Sequence, residues 1–484
     1  MAAATAIRTL DRRACEQARK TRDPRFDGLL FVAVRSTGIY CRPVCPAPAA
    51  KARNVEYYTS AASAAAAGYR PCLRCRPEAA PGTPLHGRTA MVGGALRLIE
   101  GGLLDNGTVA DLAARVGVGE RHLRRLFDAE LGAGPLEIAA TRRLLFAKKL
   151  LGETDLPVTQ IAHAAGYASL RRFNAAFRTS YGQAPRTLRR VRARTAAPAL
   201  TLRLPFRAPY DFDGLLAFFA HRAVPGVEDV DATTYTRRFA FDGIAGSLRV
   251  RRMPGEDALA LEVSHPHAAR LQEISARVRR MFDVDADIGA INAHLRCDAH
   301  LRACIRRHAG QRLPGGWEGF EIAVRAVLGQ QISVAAARTF AQRLVQHFGP
   351  QAALDSAATV RLFPAAETLA DADLGAIGLT RQRAATLRAI ARAVCDGRAS
   401  FRPEQTLEQF VASWTELPGI GAWTAHYIAM RALSDPDAFP AADLGLRKAL
   451  AGTGPALSTR ALEAMSEAWR PWRAYAVMHL WRTL

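Results

Sequence analysis

The sequence has 484 residues, and its 66 lysines and arginines outnumber its 44 aspartates and glutamates, which gives a formal net charge of +22. A chain of this length is expected to form roughly two to four domains. The charge predicts an anionic partner, of which nucleic acid is the usual one, although a generally basic protein from an Arg-rich proteome is the alternative. No segment approaches the ~18 apolar residues of a membrane helix, and the N-terminus has no apolar core for secretion. We therefore expect a cytoplasmic protein with no membrane partner.

Four of the eight cysteines form two close pairs in the N-terminal part of the chain. Cys41 and Cys45 are separated by three residues, and Cys72 and Cys75 by two. Thiolates are soft ligands that Zn²⁺ prefers in a tetrahedral site, and two such pairs can complete one. In a reducing compartment metal binding is favoured over disulfides. The spacing therefore predicts one zinc site with four cysteine ligands, and a disulfide pair is the weaker alternative.

The residues around both pairs resemble the N-terminal domain of the Ada family. The similar segments are 37–43 (TGIYCRP) and 68–75 (GYRPCLRC). The resemblance implies that Cys41 is both a zinc ligand and the acceptor of a methyl group from methylphosphotriesters in DNA. Methylation would make the site less negative and should raise its affinity for DNA. A purely structural zinc site is the alternative.

Residues 90 to 190 contain two helical units, each with a glycine turn before a basic helix. The turns lie at Gly117 and Gly166, and the basic helices are predicted over 120–127 and 169–177. This order is typical of helix-turn-helix units whose second helix enters the major groove, whereas a single such unit could also be an ordinary corner between helices. The side chains expected to contact bases are Arg121, Arg124, Arg171 and Asn174.

The second unit is similar to the DNA-binding domain of the arabinose-regulator (AraC) family. The similarity rests on 166–169 (GYAS), Phe173, Phe177 and 181–185 (YGQAP). That family joins two helix-turn-helix units by a long helix, for which 136–150 is suited. The resemblance implies that promoter DNA is a partner, with RNA polymerase as a further candidate.

Residues 190 to 300 combine a linker with a small sheet. The segment 189–198 is rich in Arg, Ala and Pro, which predicts a linker. Apolar and polar residues alternate in four later segments, which predicts an antiparallel sheet: 200–204, 239–241, 248–250 and 259–261. A helix is predicted over 271–282, and the role of this lobe is expected to be structural. Cys297 and Cys304 are predicted to be buried thiols.

The rest of the chain is predicted to be nearly all helical, and its central motif is 417–421 (LPGIG). Pro418 and Gly419 end one helical pattern, and Gly421 allows a tight turn into the next helix. Uncovered backbone N–H groups at such a turn suit a phosphate. A hairpin of this kind can hold a DNA backbone without contacting bases, although an ordinary helix–helix corner is the alternative.

This hairpin resembles the helix-hairpin-helix of DNA glycosylases. The segments 317–334 (WEGFEIAVRAVLGQQISV) and 471–481 (PWRAYAVMHLW) extend the similarity to the DNA-3-methyladenine glycosylase II (AlkA) family, from about residue 198 onward. The resemblance implies a hydrolase that excises alkylated bases from double-stranded DNA. The hairpin residues implied in DNA contacts are Gly419, Gly421 and Thr424. The sequence departs from the family at Gln331, where relatives place an apolar wedge that fills the gap left by a flipped base. Gln330 or Gln331 could fill this gap instead.

Asp443 matches the catalytic aspartate that follows the hairpin in this family. Glycosidic cleavage passes through an oxocarbenium-like state, which a carboxylate can stabilise while it assists water. Asp443 could instead only cap the helix after it, and the two roles can coexist. Trp423, Tyr427 and Trp481 match the pocket that stacks a flipped base, where an aromatic face attracts a cationic base. Each of the three could singly be a core aromatic.

Two departures limit the predicted chemistry. Trp423 occupies the place of the lysine that strand-cutting glycosylases use, so a monofunctional enzyme is predicted. The C-terminal part lacks the four cysteines that hold an iron–sulfur cluster in related enzymes, so one zinc ion is the expected cofactor.

Together these features predict a mainly α-helical, multidomain protein. Its predicted parts are a small zinc-binding α+β domain (1–85), an all-α double helix-turn-helix domain (88–190), an antiparallel sheet-and-helix lobe (198–295) and an all-α helix-hairpin-helix glycosylase domain (296–484). We expect a nucleoid-associated protein that excises bases such as 3-methyladenine and regulates transcription in response to methylphosphotriesters. The alternatives are a regulator with a catalytically idle C-terminal region and a plain zinc-containing DNA-binding protein.

Overall fold

The computed structural model describes residues 11–82, 90–189, 200–354, 359–452 and 454–484. The boundaries predicted near residues 85–88 and 198, and residues 190–198 of the predicted linker, lie outside this set. None of the described helices combines the length and the hydrophobicity that crossing a bilayer requires. The prediction of a mainly helical protein with small sheets is confirmed.

The N-terminal region is built around a four-stranded sheet that brings the two cysteine pairs together. Its elements are α1 (Arg12–Thr21), β1 (Phe31–Val34), β2 (Ile39–Cys41), β3 (Val55–Tyr58), α2 (Ala61–Ala66) and β4 (Arg70–Pro71). Strands β2 and β4 are parallel neighbours, with Tyr40 opposite Pro71. Cys41 at the end of β2 therefore lies beside Cys72, which follows β4. Because successive strand residues face opposite sides, the buried Tyr40 points away from the side that Cys41 faces.

The second region is all helical, as predicted. It contains α3 (Ala90–Glu100), α4 (Leu103–Asn106), α5 (Val109–Arg115), α6 (Glu120–Leu131), α7 (Pro135–Glu153), α8 (Val158–Ala164) and α9 (Leu170–Tyr181). Thr108 and Asp111 form a capping box at the start of α5, and the Ser169 side chain caps α9. The turns before α6 and α9 contain Gly117 and Gly166, whose φ angles are 75° and 80°. The long helix α7 joins the two units.

The third region is the predicted antiparallel sheet with its helix. Its elements are β5 (Leu200–Pro205), α10 (Phe212–Ala220), β6 (Glu228–Val230), β7 (Thr234–Phe241), β8 (Ile244–Arg252), β9 (Ala258–Ser264) and α11 (Leu271–Met281). The strand order is β5-β9-β8-β7-β6, and every pair is antiparallel. The short strand β6 was not predicted, because its sequence EDV has no apolar alternation to reveal it.

The sheet lobe also contacts both N-terminal regions. Phe173 and Phe177 of α9 belong to the same apolar core as Leu202 and Leu204 of β5. The buried guanidinium of Arg207 connects the lobe to the zinc-binding region. It donates to the carbonyls of residues 27 and 82 at 3.0 and 2.7 Å, and to the carbonyl of residue 285 at 3.0 Å. The lobe is therefore a platform on which the other regions pack.

The C-terminal region is helical, as predicted, except for one short hairpin. Its helices are α12 (Ile288–Leu295), α13 (Ala299–Arg307), α14 (Gly319–Leu328), α15 (Val334–Phe348), α16 (Ala366–Ala370), α17 (Arg381–Cys395), α18 (Leu407–Thr415), α19 (Ala422–Ile428), α20 (Leu444–Ala449), α21 (Thr459–Ser466) and α22 (Arg473–Trp481). The hairpin consists of β10 (Gln351–Ala353) and β11 (Thr359–Arg361).

The prediction that Cys297 and Cys304 are buried thiols is wrong. Cys297 is exposed and Cys304 is half-buried. The buried side of α13 is formed by Leu301 and Ile305, which lie one turn apart. Cys304 falls beside this stripe, and Cys297 follows the end of α12, where the chain returns to the surface.

Candidate active site and metal centre

The turn between α18 and α19 places its two glycines in different environments. Gly419 has a φ of +80°, and a Cβ there would lie 2.2 Å from the Thr386 hydroxyl oxygen. Gly421 caps α19 with an ordinary φ of −95° and has nothing within 4 Å of its Cβ position. The fold itself thus requires glycine only at 419. At 421 the missing side chain leaves open space in front of the helix.

Asp443 lies at the N-cap of α20 and is also held by two indoles. Its Oδ1 accepts from the backbone N–H of Leu446 at 3.0 Å. The indole N–H of Trp423 donates to Oδ2 at 3.1 Å, and that of Trp481 donates to Oδ1 at 3.4 Å. The carboxylate is half-buried. The capping role considered from the sequence is therefore present, and the same carboxylate lies against two of the predicted pocket aromatics.

The three predicted pocket aromatics form one group. Trp423 and Tyr427 lie one turn apart on α19, and their rings stack at 5.5 Å with an angle of 13° between their planes. The Tyr427 and Trp481 rings are 6.2 Å apart and inclined by 44°. This arrangement places flat π surfaces next to the Asp443 carboxylate, which suits a flat, electron-poor ring.

The sheet lobe and the π-helical turn that follows α19 (Ala429–Leu433) supply three further residues that the sequence reasoning did not single out. Arg431 lies one turn beyond Tyr427 and donates to its hydroxyl oxygen at 3.1 Å. The Arg431 guanidinium lies 4.6 Å from the ring centre of Phe218. Arg222 lies over the same ring at 3.8 Å. Phe218 and Arg222 are far from the hairpin in the sequence, so no local pattern could have linked them to it.

The two candidate glutamines occupy different positions. The Gln330 side-chain amide donates to the Gly419 carbonyl and to the Thr424 hydroxyl, both at 3.0 Å, so it braces the hairpin. Thr424 is also buried, so its side chain faces the protein interior. Gln331 is exposed and has a φ of 58°, which is uncommon for a residue other than glycine. Of the two, Gln331 is the one whose side chain projects into solvent.

The four predicted zinc ligands converge. The sulfur atoms of the four cysteines all lie within 4.8 Å of one another. Tetrahedral thiolates on Zn²⁺ at ~2.3 Å lie about 3.8 Å apart, so the cluster and its all-sulfur donor set fit this ion. Cys72 and Cys75 are buried, whereas Cys41 is partly exposed. The backbone N–H of Arg42 donates to the Cys75 sulfur at 3.3 Å, which helps to hold that ligand.

The candidate base-contacting residues lie on the outer sides of α6 and α9. Arg121, Arg124 and Arg171 are exposed, and Asn174 is half-buried. The opposite sides of these helices are buried through phenylalanines and a leucine: Leu123, Phe127, Phe173 and Phe177. The second helix of each unit thus has a buried apolar side and an exposed polar side.

Four family models match the chain in succession. They are the metal-binding domain of Ada (14–78), a helix-turn-helix domain (112–191), the AlkA N-terminal domain (201–318) and the HhH-GPD superfamily of base excision DNA repair proteins (324–474).

The similar proteins extend over the whole chain or over its second part. The chain is 41% identical, over 97% of its length, to 96% of the probable bifunctional transcriptional activator/DNA repair enzyme AlkA of Mycobacterium tuberculosis. It is 33% identical over 58% of its length to 96% of DNA-3-methyladenine glycosylase 2 of Escherichia coli. The solved 3-methyladenine DNA glycosylase of Archaeoglobus fulgidus matches with a TM-score of 0.52 and 21% identity, and covers 58% of this chain and 97% of that one. This last similarity concerns the fold alone.

Proposed function

The chain belongs to the family of bifunctional transcriptional activators and DNA repair enzymes of the AlkA type, and we propose that it repairs alkylated DNA with two separate chemistries. One is the monofunctional hydrolysis of the N-glycosidic bond of bases such as 3-methyladenine. The other is transfer of a methyl group from a DNA methylphosphotriester to Cys41, coupled to transcriptional regulation. The proposed division is the one expected from the sequence, with domains at 1–85, 88–190, 198–295 and 296–484.

The proposed glycosylase activity rests on the position of the Asp443 carboxylate among the aromatic rings. A flipped alkylated base would stack on Trp423, Tyr427 and Trp481, with its sugar next to Asp443. As the glycosidic bond lengthens, the sugar becomes positive and the carboxylate stabilises it, while water attacks the anomeric carbon. The two indole N–H groups fix the carboxylate, so little reorganisation is needed during the reaction. With Trp423 where strand-cutting relatives have lysine, the product is an abasic site.

The hairpin is proposed to grip the DNA backbone on one side of the lesion. The open space at Gly421 lets a phosphate approach the backbone N–H groups at the start of α19. The buried Thr424 supports this turn through Gln330 and would reach DNA only through its backbone. Arg121, Arg124, Arg171 and Asn174 are proposed to contact promoter DNA, with RNA polymerase as a further partner.

A matched pair of glycine variants should separate folding from DNA binding. Gly421→Ala should keep the thermal stability of the wild type and weaken binding to an abasic duplex, because only the approach of the phosphate is blocked. Gly419→Ala should lower the stability by roughly 1–3 kcal/mol, because alanine is strained at positive φ and meets Thr386. Thermal unfolding and fluorescence anisotropy measure the two effects. Normal DNA affinity of a folded Gly421→Ala protein would contradict the proposed phosphate contact.

Gln331 is proposed to fill the gap that the flipped base leaves in the duplex. Its exposed side chain and left-handed backbone present it outward, whereas Gln330 is engaged in the hairpin. Gln331→Ala should slow excision by about tenfold, or ~1.4 kcal/mol, because the gap in the duplex is no longer filled and base flipping becomes less favourable. Fluorescence of 2-aminopurine next to the lesion measures flipping. Gln330→Ala is the comparison, and it should lower the stability of the protein and the rate of excision together. Equal base flipping by the wild type and Gln331→Ala would reject Gln331 as the residue that fills the gap.

The methyl transfer is proposed to occur at Cys41, a partly exposed cysteine of the cluster. Zinc, when bound, keeps the cysteine sulfurs deprotonated at neutral pH. The Cys41 sulfur attacks the methyl carbon of the neutral triester, a carbon–sulfur bond forms, and the carbon–oxygen bond breaks to leave an anionic phosphodiester. Cys41 is not regenerated, so each chain accepts one methyl group. Partial exposure favours Cys41 and Cys45 over the buried Cys72 and Cys75, and the resemblance of segment 37–43 to the Ada family favours Cys41 of these two.

One experiment tests both chemistries on the same protein. Purified wild-type chain is incubated with duplex DNA that carries 3-methyladenine and a radiolabelled methylphosphotriester. The proposal expects free 3-methyladenine in solution and one labelled methyl per chain. Label without base release would favour a regulator with an idle C-terminal region, and the absence of both would favour a plain zinc-containing DNA-binding protein.

A further inference from the structure

The residues that lead to Asp443 form a segment that two helices brace. The segment (434–443) joins the π-helical turn after α19 to the start of α20. At its end, α19 and α22 each donate one indole N–H to the Asp443 carboxylate. Farther back, Arg473 of α22 donates to the two carboxylate oxygens of Asp437 at 2.8 and 2.9 Å. The position of Asp443 thus depends on how its whole segment is held.

The second contact from α19 to this segment is made by His426. The backbone N–H of Phe439 donates to its Nδ1 at 3.2 Å, and in the described part of the chain this N–H has no other acceptor. The connection to Asp443 is short, because the carbonyl of Pro440 accepts from the backbone N–H of Asp443 at 2.9 Å. Phe439 is 2% exposed, so removal of the imidazole would leave a backbone donor without a partner inside the protein.

This hydrogen bond fixes the state of the His426 ring. A backbone N–H can only donate, so Nδ1 must be unprotonated and the proton of the neutral ring lies on Nε2. Burial, and then the positive charge of Arg473, lower the pKa of His426 to about 4. The ring is therefore neutral at neutral pH, and its Nδ1 lone pair is available to the segment.

Small displacements of the Asp443 carboxylate matter for the proposed chemistry. Positive charge develops on the sugar in the transition state, and a carboxylate that is already in place stabilises it without reorganisation. A displacement of about 1 Å can cost about a hundredfold in rate. The two indole N–H groups restrain the carboxylate itself, but the backbone that carries it is held farther back, at Asp437 and Phe439.

We propose that His426 is a positioning residue for Asp443, because its Nδ1 holds the backbone at Phe439 and thereby sets where the carboxylate lies relative to the sugar. This inference rests on the proposed glycosylase function. In this role His426 contacts neither the base nor the sugar, and it exchanges no proton during the reaction. Its removal should slow the chemical step and leave DNA binding almost unchanged, because the turn at Gly419 and Gly421 is not altered.

The test uses two amides that match different nitrogens of the imidazole. His426→Asn places its side-chain oxygen near the position of Nδ1 and keeps an acceptor for the Phe439 N–H, whereas the amide of His426→Gln reaches the position of Nε2. We expect His426→Gln and His426→Ala to slow single-turnover release of 3-methyladenine about ten- to hundredfold. His426→Asn should restore most of the wild-type rate. The dissociation constant for an abasic duplex should stay close to that of the wild type in all three variants.

Asn292→Ala is the matched control for the loss of a bond from a buried side chain to the backbone. Asn292 of α12 donates to the carbonyl of Ala309 at 2.7 Å, outside the Asp443 segment and the aromatic pocket. This change should lower the melting temperature without slowing release by the folded protein.

Three results would overturn the inference and leave the glycosylase function standing. They are equal release rates of His426→Asn and His426→Gln, a wild-type rate of His426→Ala, and a loss of DNA affinity as large as the loss of rate. Absence of release by the wild type would instead reject the glycosylase function itself.

Discussion

Asp443→Asn should slow base release by roughly 10²–10³-fold or more while the protein stays folded. The asparagine oxygen can still accept from the Leu446 N–H, so the cap of α20 is kept, and the side chain has nearly the same volume. What is lost is the negative charge that stabilises the positive sugar in the transition state. The measurement is the single-turnover rate of 3-methyladenine release from methylated duplex DNA, with thermal unfolding of the same samples.

Two further variants separate the charge of Asp443 from its capping role. Asp287 caps α12 by accepting from Ala290 N–H at 3.1 Å, and it is not among the residues placed at the pocket. Asp287→Asn should therefore leave the release rate unchanged. Asp443→Ala removes both charge and cap and should also lower the free energy of unfolding by about 1 kcal/mol. Wild-type release by Asp443→Asn would mean that Asp443 only caps its helix.

The features that could be predicted from the sequence are those with a local signal. The spacing within the pairs Cys41/Cys45 and Cys72/Cys75 predicted one cluster. In the structure, the parallel strands β2 and β4 bring the two pairs together. Gly419 of the hairpin and the glycines at 117 and 166 in the two helix-turn-helix units also marked their turns, because a positive φ restricts which residue can occupy such positions. Asp443 was predicted only through its resemblance to a family, because a capping aspartate has the same local pattern.

The features that could not be predicted depend on packing between distant segments. Phe218 and Arg222 belong to a lobe that was expected to be structural, and only the fold brings them to Arg431. The proposed choice between Gln330 and Gln331 rests on the hydrogen bonds of Gln330 to the hairpin and on the positive φ at 331, neither of which the residue type indicates. The contact between α9 and β5 likewise spans a segment whose composition predicted only a linker.

Cys41→Ala should abolish methyl transfer from a methylphosphotriester oligonucleotide to the protein. The sulfur that forms the new bond is absent, Cys72 and Cys75 are too buried to replace it, and the proposal assigns the partly exposed Cys45 only to zinc binding. Transfer of radiolabel to the chain measures the reaction, and the zinc content is determined on the same samples. Cys297→Ala removes an exposed thiol outside the cluster and should accept one methyl per chain, as the wild type does. Methyl transfer by Cys41→Ala would show that another residue is the acceptor.

Methylation of Cys41 should also raise the affinity of the wild type for promoter DNA. Converting one of four thiolates to a thioether makes the zinc site less negative by one charge, which reduces its repulsion of the DNA phosphates. Because this effect is electrostatic, the dependence of log affinity on log salt concentration should become steeper by up to about 0.9. Anisotropy titrations of methylated and unmethylated protein at several salt concentrations measure both quantities. Identical affinities and slopes would separate methyl repair from signalling, because the zinc domain would then accept methyl groups without changing how the helix-turn-helix units bind DNA.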